Sequence, residues 1–323
     1  MFIKKIHITN YKSLVDFELS YPTPFSVFFG TNAAGKSNIF EVLELTSFVI
    51  RKPEEALKFF GGFEEIFSFQ KKELNEKIIS VKIEISGNNS LEFDIKENSD
   101  KISLRKFSDT KHEFKDIFGG NFSRLLVGNE KIKKEIYRDD KKLNSDGSNK
   151  SKVLERLLKD SDLREEIIEW LQFVIPEFDN IEIKKDELTG EDKILIYEKY
   201  SAIPFSGNLI SDGTENLISL ITALYQSNKP QILLIEEPEN GLNPKVIKEF
   251  VYLCRELSKD KGHIIWLATH SQSLVAEIKP EEAIMVYKER GITNVKQFPD
   301  LNLHNLKMDD AWLSNVLGGG IPW

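Results

Sequence analysis

The feature that most constrains this chain is a glycine-rich stretch near its start, Gly30-Thr31-Asn32-Ala33-Ala34-Gly35-Lys36-Ser37. It matches G-x-x-x-x-G-K-[ST], the phosphate-binding loop. The apolar run from Phe25 to Phe29 predicts a buried strand before the loop, and the residues from Asn38 onward place their apolar side chains on one helical face. Strand, loop and helix therefore follow one another in the order that a nucleotide-binding α/β fold requires.

The residue types in this loop suit nucleotide phosphates. Gly30 and Gly35 allow the backbone to curl, so that successive N–H groups and a helix N-terminus point at one anion. Lys36 is expected to reach the β- and γ-phosphates, and the Ser37 hydroxyl to bind Mg²⁺. The remaining loop residues and Asn38 complete the predicted site, for which we expect ATP and Mg²⁺ as cofactors.

Composition limits the classes of protein that the chain can represent. A chain of 323 residues allows about two domains, and 40% hydrophobic with 30% charged residues is ordinary for a globular protein. The single cysteine, Cys254, excludes an internal disulfide or a cysteine-based metal cluster. The apolar runs are too short to span a bilayer and the N-terminus lacks a secretory signal, so we expect a cytoplasmic protein without a membrane partner.

The net charge of −8 argues against nucleic-acid binding by the whole surface, although a local basic groove remains compatible with it. The polar middle, residues 108–152, mixes acids with the following bases: Lys131, Lys133, Lys134, Arg138, Lys141, Lys142, Lys150 and Lys152. We interpret this segment mainly as a solvated surface, because the acids dilute the positive charge. Residues 144–149 have the composition of a flexible loop.

Alternating apolar residues predict several strands. Residues 2–9 and 14–19 read as two strands around a turn at 10–13, which holds Tyr11 and Lys12. These two residues belong either to a surface turn or to the nucleotide site. An antiparallel hairpin is predicted at 79–95, a further strand at 102–107, and a second hairpin at 181–200, with a helix between them that Asp162 and Glu165 cap and that ends at Val174.

From about residue 206 the chain again has the apolar pattern of an α/β core, and it contains three further motifs. Residues 210–215 open a helix with the sequence Ile-Ser-Asp-Gly-Thr-Glu, and the apolar strand 232–235 ends in two glutamates. At such a strand end, Glu236 can orient metal-bound water and Glu237 can deprotonate the water that attacks the γ-phosphate. A second buried strand, 263–269, ends in His270, whose imidazole could hydrogen-bond the γ-phosphate.

Taken together, these motifs resemble the ATP-binding-cassette (ABC) ATPases of the RecF/SMC/OLD type, a group that includes AAA-family ATPases of prokaryotic defence systems. The resemblance covers residues 1–100 and 200–300. It implies an α/β P-loop NTPase fold, an ABC ATPase head with an antiparallel β subdomain and an inserted α+β lobe. It assigns the following roles: Walker A at 30–37, signature at Ser211 to Gly213, Walker B at 232–237 with Glu237 as catalytic glutamate, D-loop at 241–244, switch histidine at His270, and an adenine contact at 8–13, with Tyr11 and Lys12.

The sequence departs from the common pattern of that group in several places. Glu236 stands where most ABC proteins carry Asp, and Asn243 where the OLD-like branch often has His. Gln70 is the one candidate for the Q-loop. The 174 positions between Ser37 and Ser211 contain no long heptads, which excludes SMC coiled-coil arms. About 50 residues follow His270, too few for a Toprim nuclease domain.

We therefore predict an N-terminal half of the head at 1–107, an inserted lobe at 108–205, a C-terminal half at 206–300 and a tail at 301–323. The expected function is Mg²⁺-dependent ATP hydrolysis by a homodimer that sandwiches ATP between its heads. The resemblance suggests a sensor or motor subunit of an anti-phage defence or DNA-maintenance complex, with a separate effector such as a nuclease. A RecF-like DNA-binding repair ATPase and, less favoured, a transporter nucleotide-binding subunit are the alternatives. The apolar stripe that begins the segment 312–323 either packs on its own domain or docks a partner.

Overall fold

A computed structural model describes residues 2–71, 73, 75–97, 102–110, 112–128, 140–186, 190–206, 209–303 and 306–318. The strands are β1 Ile3–Tyr11, β2 Leu14–Ser20, β3 Phe25–Phe29, β4 Ile78–Ile85, β5 Ser90–Lys96, β6 Ile102–Ser108, β7 Phe122–Leu126, β8 Phe178–Lys185, β9 Asp192–Glu198, β10 Phe205–Ser206, β11 Ile232–Glu236, β12 Ile264–Thr269, β13 Ala283–Glu289 and β14 Ile292–Gln297. The helices are α1 Lys36–Arg51, α2 Pro53–Phe59, α3 Phe63–Ile66, α4 Lys150–Leu158, α5 Ser161–Val174, α6 Asp212–Tyr225, α7 Pro244–Asp260, α8 Gln272–Val275 and α9 Met308–Leu313.

A six-stranded sheet in the order β14-β13-β3-β12-β11-β7 forms the centre of the molecule. Its strands from β13 to β7 are parallel, and β14 closes one edge antiparallel to β13. β3, β11 and β12 are buried along their whole length, because helices cover both faces of a parallel sheet. The buried strands predicted at Phe25–Phe29, 232–235 and 263–269 are confirmed, as is the α/β class.

Two hydrophobic clusters pack on opposite faces of this sheet. Successive residues of β3 alternate between them: Val27 and Phe29 belong to one cluster, and Phe28 to the other. The first cluster includes α4 to α7 and the hairpin β8–β9, and the second includes α1 and the antiparallel sheet β2-β1-β4-β5-β6. Each face of the sheet is therefore covered by its own apolar cluster, which leaves the ends of the strands uncovered.

The predicted antiparallel hairpins are confirmed. β4 pairs with β5 and alternates buried and partly exposed residues, which gives the sheet one wet face. β6 continues this sheet, and β8, β9 and β10 form a separate three-stranded sheet. Part of the second hairpin's turn, Thr189, lies outside the described residues.

The strand β7 corrects the predicted division of the chain. Its five residues lie within the lobe predicted at 108–205, yet they pair in parallel with β11 and form one edge of the central sheet. The central sheet therefore continues beyond the predicted boundary at residue 108, because β7 belongs to it. A strand of five residues in a polar neighbourhood carries little periodic signal, and its partner β11 lies more than a hundred residues away.

Two local predictions in the middle of the chain are also corrected. The N-cap of α5 is Asp160, whose carboxylate accepts hydrogen bonds from the N–H groups of Asp162 and Leu163. The tract 144–149 is a packed turn, since Asn144 and Asn149 are buried and joined by a 2.7 Å hydrogen bond. The bases Lys131, Lys133, Lys134 and Arg138 lie outside the described residues.

The described part of the C-terminal tail packs on its own domain. Trp312 is 3% exposed, and its ring meets Phe29 of the central sheet edge-on at 5.2 Å between centroids. Leu317 is buried in the same cluster, whereas Val316 is exposed. Of the two alternatives for the apolar stripe, packing on the chain's own core is confirmed for Trp312 and Leu317. Residues 319–323 lie outside the described residues.

Candidate nucleotide-binding site

The loop from Gly30 to Gly35 joins β3 to α1, as its sequence predicts. Gly35 precedes α1 with φ at 107°, a left-handed conformation that favours glycine. A Cβ atom there would lie 2.0 Å from Oγ1 of Thr293, so the close approach of the β13–β14 hairpin also requires glycine. Asn32 and Ala33 form an exposed tip, which leaves the loop accessible to a ligand.

A small hydrogen-bond network holds the loop in this conformation. Thr293 Oγ1 donates to the Ala34 carbonyl at 2.8 Å and lies 2.7 Å from Ser13 Oγ. The amide of Asn38 donates to the same Ser13 hydroxyl at 2.7 Å. The side chain of Asn38, predicted to contact the nucleotide, is thus engaged in positioning the loop. Thr293 and its contact with Ser13 were not predicted from the sequence, because 280 positions separate the two residues.

Lys36 folds back over its own loop. Its ammonium donates to the carbonyls of Gly30 at 2.8 Å and Thr31 at 3.0 Å, and the residue is 7% exposed. Burial lowers the pKa of Lys36, while the nearby glutamates, first Glu237, oppose that shift. A buried cation held only by neutral carbonyls can exchange them for phosphate oxygens at little cost.

The predicted metal ligands lie side by side. Ser37 Oγ donates to Glu236 Oε2 at 2.5 Å, which places a hydroxyl and a carboxylate oxygen together at the end of β11. Oxygen donors of this kind are the ligands that Mg²⁺ prefers, so the residues fit the metal. The sequence-predicted pair Ser37 and Glu236 is therefore brought together by the fold.

Arg124 on β7 compensates the charge of Glu236. Its Nε and Nη2 bind Glu236 Oε1 at 2.8 and 2.5 Å, and its Nη1 binds Glu44 of α1 at 2.8 Å. The guanidinium side chain is 3% exposed, so this is a buried ion-pair network. The sequence reading missed Arg124 and Glu44; the short apolar run around Arg124 was the only available signal.

Glu237 follows Glu236 in a left-handed conformation with φ at 52°, and its N–H donates to the Ala268 carbonyl of β12 at 2.8 Å. Burial, then the negative charge of Glu239, raises the pKa of Glu237 to about 7. Glu239 in turn accepts a hydrogen bond from Thr269. A carboxyl group with a pKa near neutral pH can act as a general base.

His270 lies beside these two acids at the end of β12. Its Nδ1 is 2.5 Å from Glu237 Oε2, although that oxygen has no hydrogen-bond partner of acceptable geometry among the described residues. One atom from each of Glu237, Glu239 and His270 lies within 4.8 Å of the others. The structure thus brings the predicted base and the predicted switch histidine together.

Ser211 is the N-cap of α6, and its hydroxyl accepts a hydrogen bond from the Thr214 N–H at 3.2 Å. Gly213 packs against the D-loop of the same chain: a Cβ atom there would lie 2.2 Å from the Gly241 carbonyl oxygen. The Asn216 amide adds a 3.0 Å hydrogen bond to the Asn240 carbonyl. Both predicted signature residues thus have roles within one chain, and their contact with a second chain's nucleotide stays a prediction.

The assignment of Tyr11 is corrected. Its ring is fully buried and its hydroxyl donates to Glu41 at 2.8 Å, so Tyr11 is neither a surface residue nor exposed to a nucleotide. Lys12 pairs with the same carboxylate, and its contact with the nucleotide stays a prediction. Gln70 is exposed, with its amide close to Gly291, and its assignment to the Q-loop also remains a prediction.

The fold and the site define a P-loop NTPase domain whose architecture matches that of ABC and SMC heads. The chain belongs to the family described as "AAA domain, putative AbiEii toxin, Type IV TA system", whose model matches residues 25–276. Its fold is similar to a crystal structure of an SMC head bound to the C-terminal winged-helix domain of ScpA, with a TM-score of 0.60, 16% identity, and coverage of 94% of this chain and 99% of that one. The SMC head domain from Thermotoga maritima matches with a TM-score of 0.52, 15% identity, and coverage of 92% and 99%.

Curated relatives match part of the chain. The chain is 27% identical over 113 residues to the methionine import ATP-binding protein MetN 1 of Oceanobacillus iheyensis, which covers 35% of this chain and 32% of that protein. It is 31% identical over 85 residues to the energy-coupling factor transporter ATP-binding protein EcfA1 of Methanospirillum hungatei, covering 25% and 30%. The chain thus spans about a third of the length of these relatives. Among the described residues, no helix has both the length and the apolar character needed to cross a bilayer.

Proposed function

We propose that this chain hydrolyses ATP with Mg²⁺. The observation that carries the proposal is the arrangement at the end of β11, where Glu236 adjoins the Ser37 hydroxyl and Glu237 has a pKa of about 7. Lys36 and the loop N–H groups would bind the phosphates, and Ser37 with Glu236 would hold Mg²⁺. When bound, Mg²⁺ supplies neutralisation of the phosphate charge.

The chain's own residues can then complete the reaction. A water oxygen attacks the γ-phosphorus, the bond from that phosphorus to the β–γ bridging oxygen breaks, and its electron pair leaves with ADP. Glu237 accepts the proton of the attacking water. His270, whose Nδ1 lies 2.5 Å from Glu237 Oε2, would orient the base and stabilise the γ-phosphate.

The Glu237→Gln variant tests the base. Its ATP hydrolysis should fall by about 10²–10⁴-fold, because an amide cannot accept the proton, while ATP binding is retained. Glu54→Gln, an exposed glutamate on α2, is the matched control and should hydrolyse ATP at the wild-type rate. A Glu237→Gln variant as active as the wild type would show that another group is the base.

We further propose that the active site is completed by a second copy of the chain. Lys36 and the phosphate loop hold the nucleotide from one side only, and the start of α6 is an exposed helix N-terminus suited to an anion. In this arrangement Ser211 and Gly213 of one chain face the ATP bound by the other. Hydrolysis removes a phosphate that both surfaces share, so the dimer loosens and acts as a switch.

Mixing two inactive variants, Ser211→Arg and Lys36→Ala, tests the shared site. A heterodimer regains one site with both halves intact, so ATPase activity should partly return. Each variant alone provides the control. Complete inactivity in mixtures shown by native mass spectrometry to contain heterodimers would contradict the shared site.

The proposed role is that of a sensor or motor subunit in a prokaryotic anti-phage defence or DNA-maintenance complex with a separate effector, such as a nuclease. The family description, which names a toxin–antitoxin system, supports this role. Purification of the tagged Glu237→Gln chain from its native cells, followed by mass spectrometry, should recover the effector together with the ATPase. Recovery of the chain alone, with and without ATP, would contradict a stable effector complex.

A further inference from the structure

The two oxygens of the Glu236 carboxylate have different partners. Nε and Nη2 of Arg124 both donate to Oε1, at 2.8 and 2.5 Å. Oε2 instead accepts a hydrogen bond from the Ser37 hydroxyl at 2.5 Å. One oxygen is therefore occupied by a guanidinium, and the other adjoins the second residue that is proposed to hold Mg²⁺.

The guanidinium of Arg124 is itself fixed in place. Its Nη1 donates to Glu44 Oε2 at 2.8 Å, and its Nη2 lies 3.5 Å from the carbonyl oxygen of Ser37. The side chain of Arg124 is 3% exposed and that of Glu236 is 10% exposed, so water has little access to this contact. Charge-assisted hydrogen bonds from an arginine fix the orientation of a carboxylate. A metal ion that binds Oε2 therefore meets a carboxylate whose other oxygen is already engaged.

Mg²⁺ and Ca²⁺ differ in what they require from such a carboxylate. Mg²⁺ demands octahedral geometry with oxygens at about 2.0–2.1 Å, keeps several waters and needs only one or two carboxylates. Ca²⁺ takes about six to eight oxygens at about 2.3–2.6 Å, and both oxygens of one carboxylate can serve as ligands. A carboxylate that offers a single oxygen therefore suits Mg²⁺ and withholds a ligand from Ca²⁺.

We propose that Arg124 sets the metal preference of this site: because it occupies Oε1, Glu236 becomes a one-oxygen ligand that favours Mg²⁺ over Ca²⁺. Arg124 is in this sense a positioning residue, which acts through Glu236 and not on the nucleotide. This role rests on the proposed Mg²⁺–nucleotide site, and it assigns the selectivity of that site to a residue of β7.

The ratio of the two metal affinities separates this role from a simple effect of charge. Both ions carry two positive charges, so the charge of Arg124 weakens the binding of both alike. A change in the number of oxygens that Glu236 offers affects the two ions differently. The Mg²⁺-to-Ca²⁺ ratio therefore reports the orientation of the carboxylate.

The test is the binding of a non-hydrolysable fluorescent ATP analogue, titrated with Mg²⁺ in one series and with Ca²⁺ in another. The analogue's own affinity for each metal is the same for every chain, so differences between chains report the protein. Arg124→Met removes the hydrogen bonds and the charge. Arg124→Lys keeps the charge but lacks the planar group that donates two N–H bonds to Oε1, and it remains informative if Arg124→Met does not fold.

The matched control is Arg255→Met, which removes an arginine from a buried glutamate elsewhere in the molecule. Nε and Nη2 of Arg255 hold the carboxylate of Glu282 at 2.5 and 2.8 Å, and Glu282 is 5% exposed. Glu282 directly precedes β13, whose amino end is remote from the phosphate loop at the carboxyl end of the parallel strand β3. The control thus reproduces the loss of a buried ion pair without touching the metal ligands.

In the wild type, Mg²⁺ should support half-maximal binding at a lower concentration than Ca²⁺. The preference should fall by about tenfold in Arg124→Met, the lower end of the effect of losing a residue that orients a metal ligand. Arg124→Lys should shift in the same direction, and Arg255→Met should change the preference by less than about twofold.

A wild-type preference in either folded Arg124 variant, or equal support by both metals in the wild type, would overturn the role of Arg124 while leaving the nucleotide site in place. Absence of binding by the wild type with either metal would instead overturn the proposed nucleotide site, and the role of Arg124 with it.

Discussion

The two ends of β7 and β11 differ in how their charges are compensated. At the carboxyl ends, the buried guanidinium of Arg124 is held by Glu236 and Glu44, and further acids stand beside it. At the amino ends, Arg156 and Lys229 have no carboxylate partner among the described residues. The carboxyl ends of these two strands are thus rich in acids, and their amino ends are rich in bases.

The charges at the carboxyl ends fit the proposed binding of a nucleotide with a metal ion. A nucleotide that binds with a metal ion needs carboxylates for the metal, and these acids need a buried cation when the metal is absent. Arg124 provides that cation. At the amino ends of the strands, Arg156 donates instead to the backbone carbonyls of Asp140 and Gln226.

The largest expected effect comes from removing Arg124, the buried cation at the carboxyl ends of β7 and β11. Arg124→Met should lower the free energy of unfolding by about 3–5 kcal/mol, because Glu236 and Glu44 are left buried without the cation that pairs with them. Urea denaturation of the wild type and the variant measures this loss.

Lys159→Met provides the control, since Lys159 is 71% exposed and pairs with Glu155, which is 42% exposed. It should cost less than about 1 kcal/mol. Adding Glu44→Gln to Arg124→Met should recover part of the stability. Equal costs for Arg124→Met and Lys159→Met would contradict the role of Arg124 in compensating buried acids.

A smaller effect is expected from His263, which directly precedes the amino end of β12. Its ring is fully buried, both ring nitrogens lack hydrogen-bond partners among the described residues, and burial followed by the charge of Lys261 lowers the pKa to about 4. The unfolded chain therefore binds a proton at this residue more readily than the folded one. Stability should fall by about 3 kcal/mol as the pH drops from about 6.5 to 4.

The His263→Phe variant should lose this part of the acid sensitivity, whatever its stability at neutral pH. His112→Asn, which replaces an exposed histidine, is the control and should keep the wild-type pH dependence. Denaturation midpoints measured between pH 7 and pH 4 test both variants. An unchanged pH dependence in His263→Phe would show that this histidine does not titrate with a lowered pKa.

The smallest effect concerns Glu239, whose charge is the second cause of the raised pKa of Glu237. In Glu239→Gln that charge is lost, so Glu237 should remain a carboxylate at lower pH. The acid limb of the kcat/KM profile should then move to lower pH, and activity on that limb should rise by up to about tenfold, the change that one pKa unit produces. Glu281→Gln, which replaces an exposed acid, is the control and should leave the profile unchanged. An acid limb that does not move in Glu239→Gln would show that the charge of Glu239 does not affect the pKa of the base.

Much of the fold could be predicted from local sequence. The phosphate loop, the buried strands β3, β11 and β12, and the hairpin β4–β5 each carry their signal within about ten residues, through periodicity and glycine placement. The proximity of Ser37 and Glu236 could also be predicted, because β3, which leads into the phosphate loop, and β11, which ends in Glu236, are parallel strands whose carboxyl ends lie on the same side of the sheet. The fold brings them to 2.5 Å.

The errors concern residues whose environment depends on distant partners. Tyr11 looked like a turn residue beside the nucleotide, but its ring is buried and bonded to Glu41 of α1. β7 looked like part of an inserted lobe, because a five-residue strand has no periodic signal of its own and its partner is far along the chain. Asp160 replaced Asp162 as the cap of α5, an error of two residues at a helix end.

By itself, the sequence determined the class of the fold and the residues predicted to face a phosphate: the loop at 30–37 and the acids Glu236 and Glu237 at the end of β11. Only the tertiary structure decided how these groups are charged and held. Arg124 and Glu44 meet Glu236 there, and Glu239 and burial change the pKa of Glu237. The physical reason is range: backbone geometry follows from neighbours in sequence, whereas burial and charge compensation depend on strands that meet only after folding.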